Sequence, residues 1–489
     1  MIIHERDNVE VLLQAEGEIP VGHKRALKDI PEGEQVIKYG HPIGRAKCDI
    51  KAGQWVHSHN LRSDIPLHDE YEYQPGETGK TGETGTSGNA ETPGNTGTPE
   101  EAATTPTFMG YVRENGEVGI RNDLWIIPTV GCVTSLCEEI GREYGAEHPE
   151  LTVRVLSHTY GCSQLGDDHQ RTASLLLALA QHPNAGGVLI VGLGCENNQV
   201  SALKEQLPPT QRIRYIETQK VEDEHEAITQ QLNELATIIE GDQRTACPLS
   251  KLRIGLKCGG SDAFSGLTAN PLLGKLTDLL APQGAYMTLT EVPEMFGAER
   301  LLMARCTTEE KFQDLVSLIN DFKQYFVSHD QPVGENPSPG NHDGGITTLE
   351  EKSLGCIQKG GSAPVTDVIR YSQRLRQPGL TLLEAPGNDL VAATALAAAG
   401  CQMVLFTTGR GTPFSTCVPT LKISTNTSLY TRKPHWIDFN TGALLDGITM
   451  PQLLEQFLQL VLATANGQAA KGERLNSHPI AIWKDGVTL

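Results

Sequence analysis

"LTVRVLSHTYGCSQLGDDHQRTASLLLALA", Leu151 to Ala180, opens as an apolar run of strand length and closes as a helix-like one. The turn between them, "SHTYGCSQLGDDH" (157–169), carries two histidines, a cysteine, a glutamine, a tyrosine and two aspartates. A strand-to-helix turn needs only a glycine and a cap, so this load of ligating and proton-moving groups marks one wall of a site. Outward from it the same unit recurs. "LWIIPTV" (124–130) precedes "SLCEEIGREYG", "GGVLIVGLG" (186–194) precedes "NNQVSALKEQL", and "IRYIET" precedes "EDEHEAITQQLNELATII". Strands alternating with helices predict a largely parallel α/β layer over residues 108–245.

A polar stretch, "EGDQRTACPLSK" (240–251), closes that unit. A second α/β unit, 246–489, then begins with "LRIGLKCGGSD" (252–262). It continues through "GAYMTLTEVPE" (284–294), "GLTLLEAPGND" (379–389) and "CQMVLFTTGRGT" (401–412). Inside it, residues 329–355 are long and rich in glycine and proline, the mark of a functional or disordered loop. Ahead of the α/β part, residues 1–73 hold short runs, "VEVLLQ", "EQVIKYG", "PIGRAKC" and "QWVHSHN", split by glycine, proline and acidic turns. They predict a small clip-like all-β domain. Residues 74–107 are mostly Gly, Thr, Glu and Pro with no large apolar side chain, and read as a disordered tether.

The chain has 489 residues, more than one ordinary core holds. A net charge of −20 argues against nucleic acid or an anionic membrane as partner. It leaves room for an anionic small molecule at a locally positive site. No apolar run approaches the roughly 20 residues of a membrane span. The N-terminus lacks a signal-like apolar core, so a cytoplasmic protein is expected. The eleven cysteines, with no C-x-x-C pair, read as thiols, ligands or catalytic groups rather than disulfides. A homodimer is the expected assembly.

Apolar runs end in ligand-rich tips: Cys132, His158 with Cys162, Cys195 with Glu196 and Asn197, Cys258 with Asp262, and Glu291 with Glu294. Parallel α/β sheets bind ligands beyond the carboxyl ends of their strands, so these tips are expected to meet at one crevice or two facing ones. Each has a plainer reading. A single cysteine is a small buried hydrophobe, and Asp167 and Asp168 fit a helix start. His57 and His59 stand two apart on a strand and share a face, which suits two metal ligands, or a base and an anion binder, or a plain solvent-facing edge. His23, Lys24 and Arg25 form a local positive patch. Arg113 and Arg121 flank a glycine turn and could fork a carboxylate. "TTGRGTPF" (407–414) lacks the P-loop ending, and "GLGCENN" has asparagine where the third glycine of a dinucleotide fingerprint belongs.

Long stretches carry a resemblance. "GHKRALKDI", "GYVRENGEVGIRN", "IPTVGC", "SHTYGCSQLGDDH", "GLGCENNQ", "CGGSDAFSGLTANP", "TEVPEMFGAE", "ENPSPGN", "GGITTLEEKSLGC", "APGND" and "TTGRGTPF" span essentially the whole chain. They resemble the altronate and galactarate dehydratases, and the first domain resembles the SAF module. The resemblance implies a hydro-lyase that removes water from a sugar acid, D-altronate giving 2-dehydro-3-deoxy-D-gluconate, with Fe²⁺ or Mn²⁺. On that reading His23, His57 and His59 hold the metal. His158, Glu196, His57 and Cys162 are the catalytic candidates. Lys24, Arg121, Asn197, Asn198 and Asp262 bind substrate. Galactarate is the alternative substrate. Two rivals stay open: an iron–sulfur hydro-lyase using Cys132, Cys162, Cys195 or Cys258, and a sugar-acid-binding protein without turnover.

Overall fold

The computed structural model describes residues 1–66, 69–73, 106–475 and 478–489. The expected tether falls almost wholly outside them. Its last residue, Thr107, already opens a strand, Thr107–Val112.

The small N-terminal unit is two three-stranded antiparallel sheets. One joins Val9–Val11, Lys24–Ala26 and Trp55–Val56; the other joins Gln35–Lys38, His41–Ala46 and Leu61–Arg62. Turns with glycine at positive φ, such as Gly33 and Gly53, cut the strands short. Val9, Ile30, Val36, Ile43, Ile50 and Val56 fill the space between the sheets.

The middle unit has the parallel sheet the sequence predicts. Its order is Val153–Val155, Asp123–Pro128, Ala185–Gly192, Ile213–Glu217. Ala185–Gly192 is buried at every residue, as an unbroken apolar run between two helical layers must be. Helix Thr134–Glu147 turns Cys137, Ile140, Gly141 and Tyr144 inward, one stripe at helical spacing. The polar stretch 240–251 is more than a break. Thr245–Pro248 pairs antiparallel with Thr107–Val112, which also pairs with Val118–Gly119. This clasp joins the entry and exit of the middle unit.

The C-terminal unit is a seven-stranded sheet, parallel throughout. Its order is Val365–Ile369, Gly379–Leu383, Tyr286–Leu289, Arg253–Cys258, Met403–Thr408, Thr420–Ser424, Phe439–Asn440. The chain lays Arg253–Cys258 first, builds outward on one flank, and then returns to the other with Met403–Thr408. The direction of winding reverses there, which leaves a crevice above the tip of Arg253–Cys258. In the middle sheet the reversal falls between Asp123–Pro128 and Ala185–Gly192 for the same reason. No helix among the described residues is long and apolar enough to cross a membrane.

Candidate active site

At the C-terminal crevice, two strand tips are knitted through glycines. Gly259 N–H donates to Thr407 O (3.0 Å) and Gly409 N–H donates to Gly260 O (3.0 Å). A Cβ on Gly259 would lie 2.4 Å from Phe406 Cζ, and one on Gly409 would lie 2.1 Å from Asp262 Cγ. Asp262 is consumed in this knot. It accepts from Phe264 N–H, Ser265 Oγ, Thr425 Oγ1 and Asn426 Nδ2. Burial raises its carboxyl to about 6.

Above the knot stands a charge cluster with Lys257, Glu291, Glu294 and Lys359 buried and Asp389 and Lys352 half-buried. Lys257 Nζ reaches Glu291 Oε1 and Asp389 Oδ1, each at 2.6 Å, and donates to Cys258 O at 2.8 Å. Glu294 faces Lys352 at 3.1 Å and Lys359 at 3.8 Å. The two glutamates are driven apart. Burial, then the charge of Glu294, raises Glu291 well above the carboxylate range. Burial also pushes Glu294 up, but Lys352, Lys359 and Lys257 outweigh it and hold it at about 2. The cluster therefore holds one carboxylic acid beside one carboxylate, the division of labour that acid–base sites use. The Oε2 atoms of both are buried without a hydrogen-bond partner among the described residues. Glu291 also sits at φ 67°, a strained conformation for a residue with a side chain. Both glutamates, Lys352, Asn341 and Asp389 line a cavity of about 420 Å³. Cys258 faces it too, held down at about 5, chiefly by a hydrogen bond from the Cys356 thiol.

The segment 338–351 links this cavity to the small β unit. On its short helix Pro339–Asp343, Asn341 donates to Ser261 O while the next residue, His342, packs 5.9 Å from His57 ring to ring. Lys24 and Lys38 of the β unit both reach Glu351 at 2.7 Å, with all three side chains buried. Lys24 also donates to Gly345 O and Thr347 Oγ1, so its three protons are used. Burial draws Lys24 down to about 8, while Lys38, on the same anion, is raised. The two agree on one point: Glu351 stays ionised between them, at about 2 despite its burial.

The histidines meet at this joint but do not form a ready metal site. His23 accepts from Trp55 Nε1 at Nδ1 and faces Asp343 O through Nε2, so both nitrogens are engaged. His59 packs edge-on against Trp55 from an exposed position. His57 bonds Thr347 Oγ1 through Nδ1, and burial, then Lys24, lowers it to about 4, so it is neutral at pH 7. Among the described residues no three His, Cys, Asp or Glu side chains are placed to share one ion.

The middle crevice uses its polar groups on itself. His158 Nε2 donates to Pro128 O (2.7 Å) while its Nδ1 accepts from Tyr160 N–H. Glu196 accepts from Thr129 Oγ1, Leu193 N–H and Gly194 N–H. Asn197 accepts from Ser163 N–H. Gly161 presses so closely on the first loop that a Cβ there would lie 2.0 Å from Thr129 O. Gly161→Ala is expected to cost about 1–3 kcal/mol of stability, read from urea unfolding; an unchanged midpoint would show that the loops yield. The C-terminal residues run along the same turn, with Ile480 N–H donating to Ser157 O and Leu489 N–H to Ser163 O.

Family models match the chain in three consecutive pieces. Residues 1–64 match the altronate/galactarate dehydratase SAF domain. Residues 110–240 match the second domain of D-galactarate dehydratase/altronate hydrolase, and 249–488 match the D-galactarate/altronate dehydratase C-terminal domain. Altronate dehydratase of Bacillus subtilis is 50% identical over 100% of this chain and 99% of its own length. That of Escherichia coli is likewise 50% identical, over 100% and 99%. The chain belongs to the altronate/galactarate dehydratase family. The Escherichia coli galactarate dehydratase (L-threo-forming) is 31% identical over 95% of this chain and 92% of its own.

Within that family frame, several residues picked from sequence serve the architecture. Arg121 is a cross-tie: it pairs with Glu473 at 2.8 Å and donates to Ile120, Thr464 and Gln468 carbonyls, leaving no fork for a substrate. Asp168 caps nothing; helix Gly166–Ala180 has no side-chain cap, and Asp168 instead accepts from Asp485 and Gly486 N–H. Lys24, His158, Glu196, Asn197 and Asp262 position loops or domains. Cys162 is exposed and Asn198 is buried with its amide unpartnered among the described residues. Lys257, Lys352, Lys359 and Cys356 stand in no motif that marks them in the sequence, and Glu291 and Glu294 show there only as a polar strand tip. A lysine within an apolar strand, as in "LRIGLKC", is the signal that could have found the first.

Proposed function

We propose that this chain dehydrates D-altronate to 2-dehydro-3-deoxy-D-gluconate at the C-terminal crevice. The full-length 50% identity to altronate dehydratases carries the substrate, against 31% for the galactarate enzyme. The crevice supports the chemistry. Two buried lysines, Lys257 and Lys359, and the half-buried Lys352 offer positive charge to an anionic sugar acid in a protein of net charge −20. The same field stabilises the doubly charged intermediate left when the C2 proton departs. Glu291, protonated, is the donor for the leaving C3 hydroxyl. Glu294, ionised, is the acceptor for the C2 proton; an incoming carboxylate competes for its lysines and raises its basicity. The enol then becomes the ketone without further help.

Dependence on Fe²⁺ or Mn²⁺ belongs to this reading through the family resemblance, and the set His23, His57 and His59 gives it no geometric support. The proton steps above use the chain's own groups. The deciding assay offers a panel of aldonates and aldarates with added Fe²⁺ or Mn²⁺ and scores 2-keto-3-deoxy acid. D-altronate is expected to react fastest; faster turnover of galactarate would overturn the assignment. Chelation is expected to abolish turnover and either ion to restore it, whereas full activity in enzyme shown metal-free by elemental analysis would remove the metal.

A further inference from the structure

We propose that Cys132, Cys162 and Cys195 bind an iron–sulfur cluster of the four-iron type. Seven of the chain's cysteines are buried and four are exposed. Of the exposed four, Cys48 lies in the small β unit and the other three lie on one edge of the middle sheet. They follow the carboxyl ends of Asp123–Pro128, Val153–Val155 and Ala185–Gly192, three strands adjacent in that sheet.

The three loops are tied to one another beside each thiol. Gly131 N–H donates to Tyr160 O (2.9 Å), joining the first loop to the second one residue before Cys132. Asn198 N–H donates to Gly161 O, and Ser163 N–H donates to Asn197 Oδ1, so the third loop clasps the second on both sides of Cys162. Glu196, next to Cys195, accepts from Thr129 Oγ1 at 2.6 Å, joining the third loop to the first. His158 and Glu196 thus do the fixing, and the three cysteines stay exposed; Cys195 Sγ accepts from Gln219 Nε2 at 3.6 Å and Cys162 Sγ lies 3.7 Å from Ser163 Oγ. Ser163 takes φ 56° immediately after Cys162, a strained turn in the same loop.

A second observation points to a ligand. The Asn198 side chain is 2% exposed, yet neither its oxygen nor its nitrogen has a partner among the described residues. Its backbone N–H is the one that clasps Gly161, next to Cys162, and a buried amide with nothing to bond is costly unless something else fills the site. A cluster supplies sulfur acceptors, and hydrogen bonds to those sulfurs are one of the ways a protein tunes it. Among the described residues no three His, Cys, Asp or Glu side chains are placed to share a single ion. A four-iron cluster is wider than an ion and takes its thiolates from separate positions along a chain. Three thiolates leave one iron without a protein ligand, open to an oxygen donor.

The site is separate from the C-terminal crevice and stands whether or not altronate is the substrate. Its test uses the full chain, reconstituted without oxygen with ferrous iron and sulfide. About four irons and four acid-labile sulfides per chain are expected, with a broad visible absorption. Mapping by alkylation and mass spectrometry should show Cys132, Cys162 and Cys195 protected in the loaded chain and reactive in the stripped one, with Cys48 reactive in both. Serine at any of the three should lose the colour, and Cys48→Ser should keep it. Iron bound without sulfide, no iron bound, or a loaded chain whose three thiols still react would each overturn the proposal.

Discussion

Glu291→Gln is expected to lower kcat by about 10²–10⁴-fold, the range of a lost general acid, with little change in melting temperature. The physical basis is the protonation state. Burial and the neighbouring Glu294 keep Glu291 uncharged, so a glutamine amide of the same shape replaces a neutral group by a neutral group. Packing against Lys257 survives, because Asp389 still pairs with that lysine at 2.6 Å. What disappears is the transferable proton. Glu294→Gln separates the two roles: it removes an ionised partner from Lys352 and Lys359 and is expected to lower both activity and stability. Steady-state kinetics on D-altronate with a parallel thermal melt distinguishes the cases. A Glu291→Gln enzyme within tenfold of the parent would move proton transfer away from this crevice.

The second large effect lies at the joint of the β unit. Glu351→Gln leaves Lys24 and Lys38 buried with no anion, and breaking such a pair costs about 3–5 kcal/mol. The loss should appear as a lower urea midpoint. Replacing all three charged groups together by apolar ones should recover much of it, since the desolvation cost goes as well. The sign of the pH dependence follows from Glu351. Its folded value, about 2, lies below the ordinary value of 4.5, so its contribution is complete above about pH 4.5 and fades as pH falls towards 2. Glu351→Gln should flatten stability across that window. If the variant melts with the parent, the lysines are not held charged there and the joint rests on apolar contact alone.

The alternation of short apolar runs with helical segments, read outward from Leu151–Ala180, determined both parallel sheets, because period and length of apolar runs are local properties of the chain. The small β unit was legible from its turns, and the family was legible from motifs such as "SHTYGCSQLGDDH" and "CGGSDAFSGLTANP". The tips rich in cysteine, histidine and acid were visible as well. What those groups do was not, because a polar side chain at a strand end reads the same whether it faces a ligand or its own loop. His158 and Glu196 spend their hydrogen bonds holding turns, and Arg121 spends its fork on Glu473. Conversely, Lys257, Lys352 and Lys359 look like ordinary lysines until the sheet winding gathers them beside Glu291 and Glu294. Pairings across more than 300 residues, such as Lys24 with Glu351, are decided by docking of separately folded units. Local pattern sets which elements form; the crossover order of the strands, and the burial it imposes, decides which charges meet and which carboxyl keeps its proton.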